Sequence, residues 1–304
     1  MYTETMPPFL DAAATARRLP FDALVAAVRC AVLDLAAGRI RCPERGVVAM
    51  ADGATLLSMP AVASDLAAHK LISVTPGNAR RGLPTIRGQL SVLDPHTGAT
   101  ILVLDGPAAT GRRTAAMSML ALHSLWPQPP RHVLLIGAGA QAQHHVDALA
   151  ALHPGVAVTL RASSALRAEA FCAGCGHPGV APDTGACDGA DVVITCTSSR
   201  VPVYADAARA GRLVIAVGAF QAGAAEIAAD TVRASICYVD DPQGARHEAG
   251  DLIQAGVPWD SVLPLSEALQ HGALRHRPLL FKSVGCAAWD LAAARVATRP
   301  QPTP

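Results

Sequence analysis

The chain has 304 residues, enough for one large or two ordinary domains with ample core. Its 25 basic and 24 acidic side chains nearly cancel, which removes the electrostatic case for nucleic acid or an anionic membrane as partner. No apolar run approaches the ~20 residues that cross a bilayer. Met1–Pro8 lacks a basic segment leading into an apolar one, so a soluble cytoplasmic protein is the expectation.

From Pro20 to Gly38 apolar residues recur at helical spacing (Leu24, Val25, Val28, Val32, Leu35), with Asp22 in the first turn and Gly38 as a stop. Residues 46–105 read instead as short β segments. Val47–Met50, Thr55–Pro60 and His69–Val74 come first. Gly88–Asp94 and Ala99–Asp105 then flank Pro95-His96-Thr97-Gly98, a hairpin signature. A helix is expected from about Gly111 to Ser124, broken by Pro127-Gln128-Pro129-Pro130.

Strands then alternate with helical stretches: Val133–Ile136, Val156–Leu160, Val192–Thr195, Leu213–Val217 and Ile236–Val239. That alternation implies an α/β, doubly wound parallel sheet of Rossmann type, beside an N-terminal α+β domain. A last helix, Cys286–Val296, is expected to return to the first domain. The domains are read as 1–112 with 285–304, and 113–284.

The strongest motif is the strand Val133–Ile136 running into Gly137-Ala138-Gly139-Ala140-Gln141-Ala142 and a helix. Gly137 permits the bend, Gly139 lets backbone approach a pyrophosphate, and Ala142 keeps helix and strand close; the N–H groups around Ala140 and Gln141 receive the anion. Small-residue loops at Thr195-Cys196-Thr197 and Val217-Gly218-Ala219-Phe220 fall where ribose and nicotinamide belong. The second strand ends in Arg161-Ala162-Ser163 and offers no Asp or Glu there. A cation with hydroxyl donors suits the 2′-phosphate of NADPH, with NADH as the other possibility.

Eight cysteines invite a metal or redox reading, but Cys172-x-x-Cys175 with His177 and Cys187 lacks a second well-spaced pair, so no metal is expected. In the first domain Lys70 holds a β-rich position, where desolvation lowers an ammonium pKa and suits it to proton exchange. Arg45, Arg80, Arg81, Arg87, Arg112 and Arg113 are candidate carboxylate partners, since a guanidinium binds a carboxylate with two parallel hydrogen bonds.

Several ordered stretches carry a resemblance: Met59-Pro60, Lys70–Asn78, Gly82–Thr85, Asp94–Gly98, Thr110–Ala116, Gly137–Ala142 and Lys282–Asp290. Together they resemble the ornithine cyclodeaminase/mu-crystallin family over essentially the whole length. The resemblance implies a first domain that binds a small amino or imino acid and forms a homodimer, and a second that binds NAD(P). It implies that Arg45, Lys70 and Arg112 surround the substrate carboxylate and reacting nitrogen. Thr85 and Ser283 are placed with the cofactor residues. Val217-Gly218-Ala219-Phe220 departs from the cyclodeaminases, which resemble one another in an Asp after Val-Gly. With Glu226 further on, the chain looks more like the family's ketimine reductases. Lys70 would act on the imine nitrogen, and Met59 and Phe220 would pack on the ring. The implied reaction is NAD(P)H-dependent reduction of Δ1-pyrroline-2-carboxylate to L-proline, or of the six-membered imine to L-pipecolate. The alternatives are an ornithine cyclodeaminase or other amino-acid dehydrogenase of the family, and a mu-crystallin-like NADP-dependent binding protein.

Overall fold

The computed structural model describes residues 6–185 and 189–300, so Cys187 lies outside the described residues. The chain divides into two compact units: one runs to Arg113 and resumes at Cys286, and the other spans Thr114–Gly285. Each boundary falls one residue beyond the one read from sequence.

The first unit opens with β1 (Phe9–Leu10), α1 (Ala12–Arg18) and α2 (Phe21–Ala36). Next come β2 (Gly46–Ala49), β3 (Thr55–Val62), β4 (Ala67–Val74), β5 (Ile86–Leu93) and β6 (Thr100–Asp105). The strands form one sheet in the order β1-β6-β5-β4-β3-β2, antiparallel except where β1 joins β6. The β5–β6 turn forms as expected. Asp94 Oδ1 accepts the N–H groups of His96 and Thr97 at 2.8 Å each, and Gly98 takes φ +74°. Helix α3 (Gly106–Leu125) starts five residues earlier than its periodicity suggests, because Asp105 Oδ1 accepts the Ala108 N–H at 2.8 Å and so caps it.

Side chains alternate across these strands, so Ala68, Lys70 and Ile72 of β4 share the buried face with Leu57, Met59 and Ala61 of β3. That face is covered by the last helix of the chain, α10 (Ala287–Ala297), which also packs on α2. Its alanines let backbones approach closely around the fully buried Trp289.

The second unit holds β7 (His132–Ile136), α4 (Ala140–Leu152), β8 (Ala157–Arg161), α5 (Ala165–Gly174), β9 (Val180–Pro182), β10 (Val192–Thr195) and β11 (Leu213–Ala216). It continues with α6 (Ala229–Ala234), β12 (Ile236–Val239), α7 (Pro242–Glu248), α8 (Gly250–Ala255), β13 (Leu263–Pro264), α9 (Leu265–His271) and β14 (Leu279–Lys282). All eight strands are parallel, in the order β13-β12-β14-β11-β10-β7-β8-β9. Short apolar runs such as Val-Val-Ile-Thr and Leu-Val-Ile-Ala are buried along their whole length, as sheets covered on both faces require. The strand order reverses at β7, with β8 on one side and β10 on the other. Ligands of such sheets bind outside the strand ends at this point. Strands β9, β13 and β14 were not anticipated from sequence.

Candidate functional site

In the second unit the carboxyl ends of the strands gather the predicted nucleotide residues. Gly137 adopts φ +128°, and a Cβ there would stand 2.9 Å from the Cys196 carbonyl oxygen, so only glycine fits. Its N–H donates to the Arg161 carbonyl at 2.8 Å, tying the turn to the end of β8. Gly139 is the N-cap of α4 without a capping side chain; a Cβ there would meet nothing within 4 Å, and Gly139 and Ala140 are exposed. Open backbone N–H groups at the positive end of a 13-residue helix, reached through a turn that excludes side chains, are a cradle that fits a pyrophosphate. Ala142 is fully buried against the sheet.

Glu226, buried and mentioned in the sequence reading only as a family mark, organises the next two loops. Its Oε1 accepts from Thr197 N at 2.6 Å and Thr197 Oγ1 at 2.8 Å, and its Oε2 from Gly218 N at 2.6 Å and Ala219 N at 3.2 Å. A Cβ on Gly218 would stand 2.2 Å from the Thr197 carbonyl oxygen, so Val217-Gly218 must carry glycine for this approach. Behind Glu226, Asp251 Oδ1 accepts the N–H groups of Glu226 and Ile227 at 2.6 and 2.9 Å. Its other oxygen stands 2.8 Å from Lys282 Nζ, a Coulombic contact rather than an aligned hydrogen bond.

The other predicted site residues, Thr85, Arg161, Ser163, Thr195, Phe220 and Ser283, have these surroundings. Thr195 is fully buried at the end of β10. Ser283 is buried and donates its hydroxyl to Asp240 at 2.7 Å, and the same aspartate takes the N–H groups of Val284 and Gly285; Ser283 therefore anchors the loop after β14. Thr85 lies in the first unit, where its carbonyl closes the 75–85 loop by accepting Thr75 N at 2.8 Å. Phe220 is exposed beside the buried Ala219. Arg161 is partnered: its Nε donates to Asp183 Oδ2 at 2.5 Å, so the acidic residue missing from β8 arrives from the end of β9. Ser163 Oγ accepts from Arg167 at 3.5 Å. Cys175 is buried and Cys172 half-buried. Among the described residues no three His, Cys, Asp or Glu side chains gather as a metal site.

In the first unit Lys70 is 1% exposed and lies in a cross-strand row with Met59 on one side and Leu90 on the other. Its Nζ stands 2.8 Å from Asp290 Oδ2 of α10, and Asp290 Oδ1 accepts from Arg113 Nε at 3.1 Å. Burial pulls the Lys70 ammonium down to about 8. Asp290 resists this, while the charges of Arg113 and then Arg45 add to it. The sequence reading names Arg45, Lys70 and Arg112 for the substrate, whereas the structure brings Arg113 rather than Arg112 to the aspartate beside Lys70. The structure turns Arg112 toward the junction of α1 and α2: Nε donates to the Leu19 carbonyl at 2.8 Å, and the guanidinium lies 3.9 Å over the Phe21 ring. Adjacent helical residues project about 100° apart, and that rotation separates the two arginines. Met59 is buried in the core row.

A Rossmann-type unit with an open phosphate cradle, and an α+β unit with a buried Lys–Asp–Arg group, define a nucleotide-dependent class of protein. The chain belongs to the ornithine cyclodeaminase/mu-crystallin family, whose model matches residues 7–299. It is 54% identical over 296 residues to Delta(1)-pyrroline-2-carboxylate reductase 2 of Burkholderia ambifaria, covering 95% of this chain and 94% of that one. The same figures hold for the Delta(1)-pyrroline-2-carboxylate/Delta(1)-piperideine-2-carboxylate reductase of Azospirillum brasilense. Among solved structures it is similar to the Delta(1)-pyrroline-2-carboxylate reductase of Thermococcus litoralis in complex with NADH and L-proline. There the TM-score is 0.85 at 25% identity, over 95% of both chains.

Proposed function

We propose that the chain is a NAD(P)H-dependent ketimine reductase that converts Δ1-pyrroline-2-carboxylate to L-proline and also takes the six-membered Δ1-piperideine-2-carboxylate. The observation that carries this reading is the buried Lys70–Asp290–Arg113 group, which suits an anionic substrate whose nitrogen must be held as an iminium. One aspartate between two cations leaves a surplus positive charge, increased by Arg45, and a carboxylate matches it.

Lys70, pulled down to about 8, still carries its proton at neutral pH and yields it more readily than an ordinary lysine, so Nζ donates to the imine nitrogen. Asp290 holds that ammonium in place. Arg113 and Arg45 clamp the carboxylate, and Met59 forms the apolar wall beside Lys70. In the second unit the Gly137–Ala142 turn holds the pyrophosphate and the Thr197 and Val217-Gly218 loops frame the nicotinamide ribose. Arg161 with Ser163 faces the adenosine ribose and its 2′-phosphate, which supports NADPH with NADH also accepted. The bound nucleotide supplies the hydride.

No acidic side chain follows Val217-Gly218, which leaves nothing there to bind the distal ammonium of ornithine. A homodimer through the first unit is part of this reading; the edge strand β2, with Val47 and Val48 exposed, is its apolar contact. We place the enzyme in the cytoplasm.

The test is the decay of reduced-nicotinamide absorbance with Δ1-pyrroline-2-carboxylate, beside an ornithine control assayed for ammonia. Oxidation with the imine alone supports the proposal. Ammonia from ornithine moves the assignment to cyclodeamination, and nucleotide binding with no turnover of either moves it to a binding protein.

A further inference from the structure

The carboxyl ends of β7, β8 and β9 lie side by side. Ile136 is in register with Arg161, and Leu160 with Pro182, so Ile136, Arg161 and Asp183 stand level along the sheet edge, with Gly137 one residue beyond Ile136. Asp183 N donates to the Leu160 carbonyl at 2.8 Å, which fixes its backbone against β8. Its Oδ1 accepts from Gly185 N at 2.9 Å, leaving Oδ2 for Arg161 Nε. The Asp183 side chain is 9% exposed and that of Arg161 is 35% exposed. An end-on hold through Nε leaves the two Nη nitrogens as the outward edge of the guanidinium, without a hydrogen bond from the described residues.

In folds of this kind an acid at the end of the second strand binds the ribose 2′-hydroxyl of NADH, whereas an arginine there accommodates the 2′-phosphate of NADPH. Here one position carries both. The arginine is supplied by β8 and the acid by β9, spaced too far along the chain for the usual fingerprint to reveal it.

We infer that Asp183 is the residue that sets the dinucleotide preference. By pairing with Arg161 it offsets the charge that would favour a 2′-phosphate, and it keeps the site open to NADH. The inference rests on the assignment of Arg161 to the adenosine ribose. It adds a positioning residue that acts through Arg161. Gly185 N–H and Arg161 keep the Asp183 carboxyl below its usual range despite partial burial, so the offset is present throughout the neutral range.

The experiment is calorimetric titration of NADPH and NADH, without substrate, into the wild type, Asp183→Asn, Arg161→Ala and the double variant. Asp183→Asn removes the charge and leaves one acceptor oxygen, which can keep the Gly185 N–H while the amide NH2 no longer accepts from Arg161 Nε. NADPH affinity relative to NADH should rise by roughly tenfold in Asp183→Asn, equivalent to about 1.4 kcal/mol. It should fall in Arg161→Ala, and the Asp183→Asn effect should vanish in the Arg161→Ala background. An unchanged ratio in Asp183→Asn, or equal weakening of both nucleotides, overturns the inference, because a merely structural residue moves both alike. If Arg161→Ala leaves the ratio unchanged while both nucleotides bind, the assignment of Arg161 fails first and takes the inference with it.

Discussion

Lys70 on β4 and Lys282 at the end of β14 are assembled from the same parts. Each is buried on a strand, and each stands 2.8 Å from a buried aspartate at the start of a helix, Asp290 on α10 and Asp251 on α8. They differ in what the second aspartate oxygen does. Asp290 spends it on Arg113, so two cations share one carboxylate. Asp251 spends it on the N–H groups of Glu226 and Ile227, and Glu226 in turn brings another carboxylate satisfied by four donors. The first arrangement leaves positive charge over for a ligand, whereas the second uses its charges and polar groups on the chain itself. A buried lysine–aspartate pair therefore says little alone about reactivity, and the surrounding charge balance separates an ammonium poised to give up a proton from one that holds loops in place.

Exchanging each lysine for methionine should break this comparison most sharply. Lys70→Met should lower imine turnover by roughly 10²–10⁴-fold while nucleotide affinity stays close to wild type, the loss expected when a general acid is removed. In the wild type kcat/KM should fall as pH rises through about 8, where Lys70 gives up its proton, and the variant should lack that limb. Lys282→Met should strand the Asp251 carboxylate and cost about 3–5 kcal/mol of stability, read by denaturant unfolding. Equal activity losses in the two variants at matched stability would dissolve the distinction.

The parts legible in the sequence were those that depend on local pattern. The apolar runs of β7, β10, β11 and β12 and the Gly137-Ala138-Gly139 turn need only neighbours along the chain to be recognised, and the hairpin at Asp94–Gly98 likewise. Lys70 stands out in the sequence because a cation inside a β run is anomalous. What stayed hidden depends on contacts between distant positions. Asp290 meets Lys70 across 220 positions (290 − 70) through α10, and Asp183 meets Arg161 through a three-residue strand too short to show a period. Which of Arg112 and Arg113 meets Asp290 is a question of helix rotation, which the flanking Gly111 and Thr114 do not settle. Ser283 is of the same kind: a hydroxyl at a strand end suggests a ligand from sequence, and its bond to Asp240, 43 positions away, is visible only in the fold.

Glu226→Gln sharpens the structural side of the comparison. The amide sets an NH2 against backbone N–H groups that now find a carboxylate oxygen, and a cost of about 3 kcal/mol is expected from opposed buried donors. Nucleotide affinity should fall with it, because the loops at Thr197 and Gly218 lose their common anchor. A stable variant with normal NADH affinity would remove Glu226 from that role.

His145 offers an acid-side test within the second unit. Its Nδ1 faces the Gln141 carbonyl at 2.7 Å and must donate, so Nε2 accepts from Ser118 Oγ at 2.9 Å and the ring is neutral. Burial lowers its pKa from 6.5 to about 4. Between those values the unfolded chain binds the extra proton, so stability falls as pH drops from 6.5 toward 4, by about 3 kcal/mol for this group. His145→Gln should lower stability at neutral pH and remove that portion of the slope in urea unfolding. An unchanged slope would show that another group carries the acid sensitivity.

Arg113 and Arg112 give the smallest and most discriminating contrast, because they are neighbours on one helix with opposite duties. Arg113→Gln removes one of the two cations on Asp290 and, in the proposed reaction, half of the carboxylate clamp; kcat/KM for the imine should fall by roughly tenfold to a hundredfold, about 1.4–2.7 kcal/mol. The loss should appear mainly in KM, since a carboxylate contact is made in ground and transition states alike. Arg112→Gln loses the bond to Leu19 and the stacking on Phe21, so it should lower the unfolding midpoint and leave kcat/KM within about threefold. A reversed pattern, with Arg112→Gln raising KM and Arg113→Gln affecting only stability, would return the carboxylate to Arg112. It would mean that the guanidinium on Phe21 swings toward the substrate when the imino acid binds.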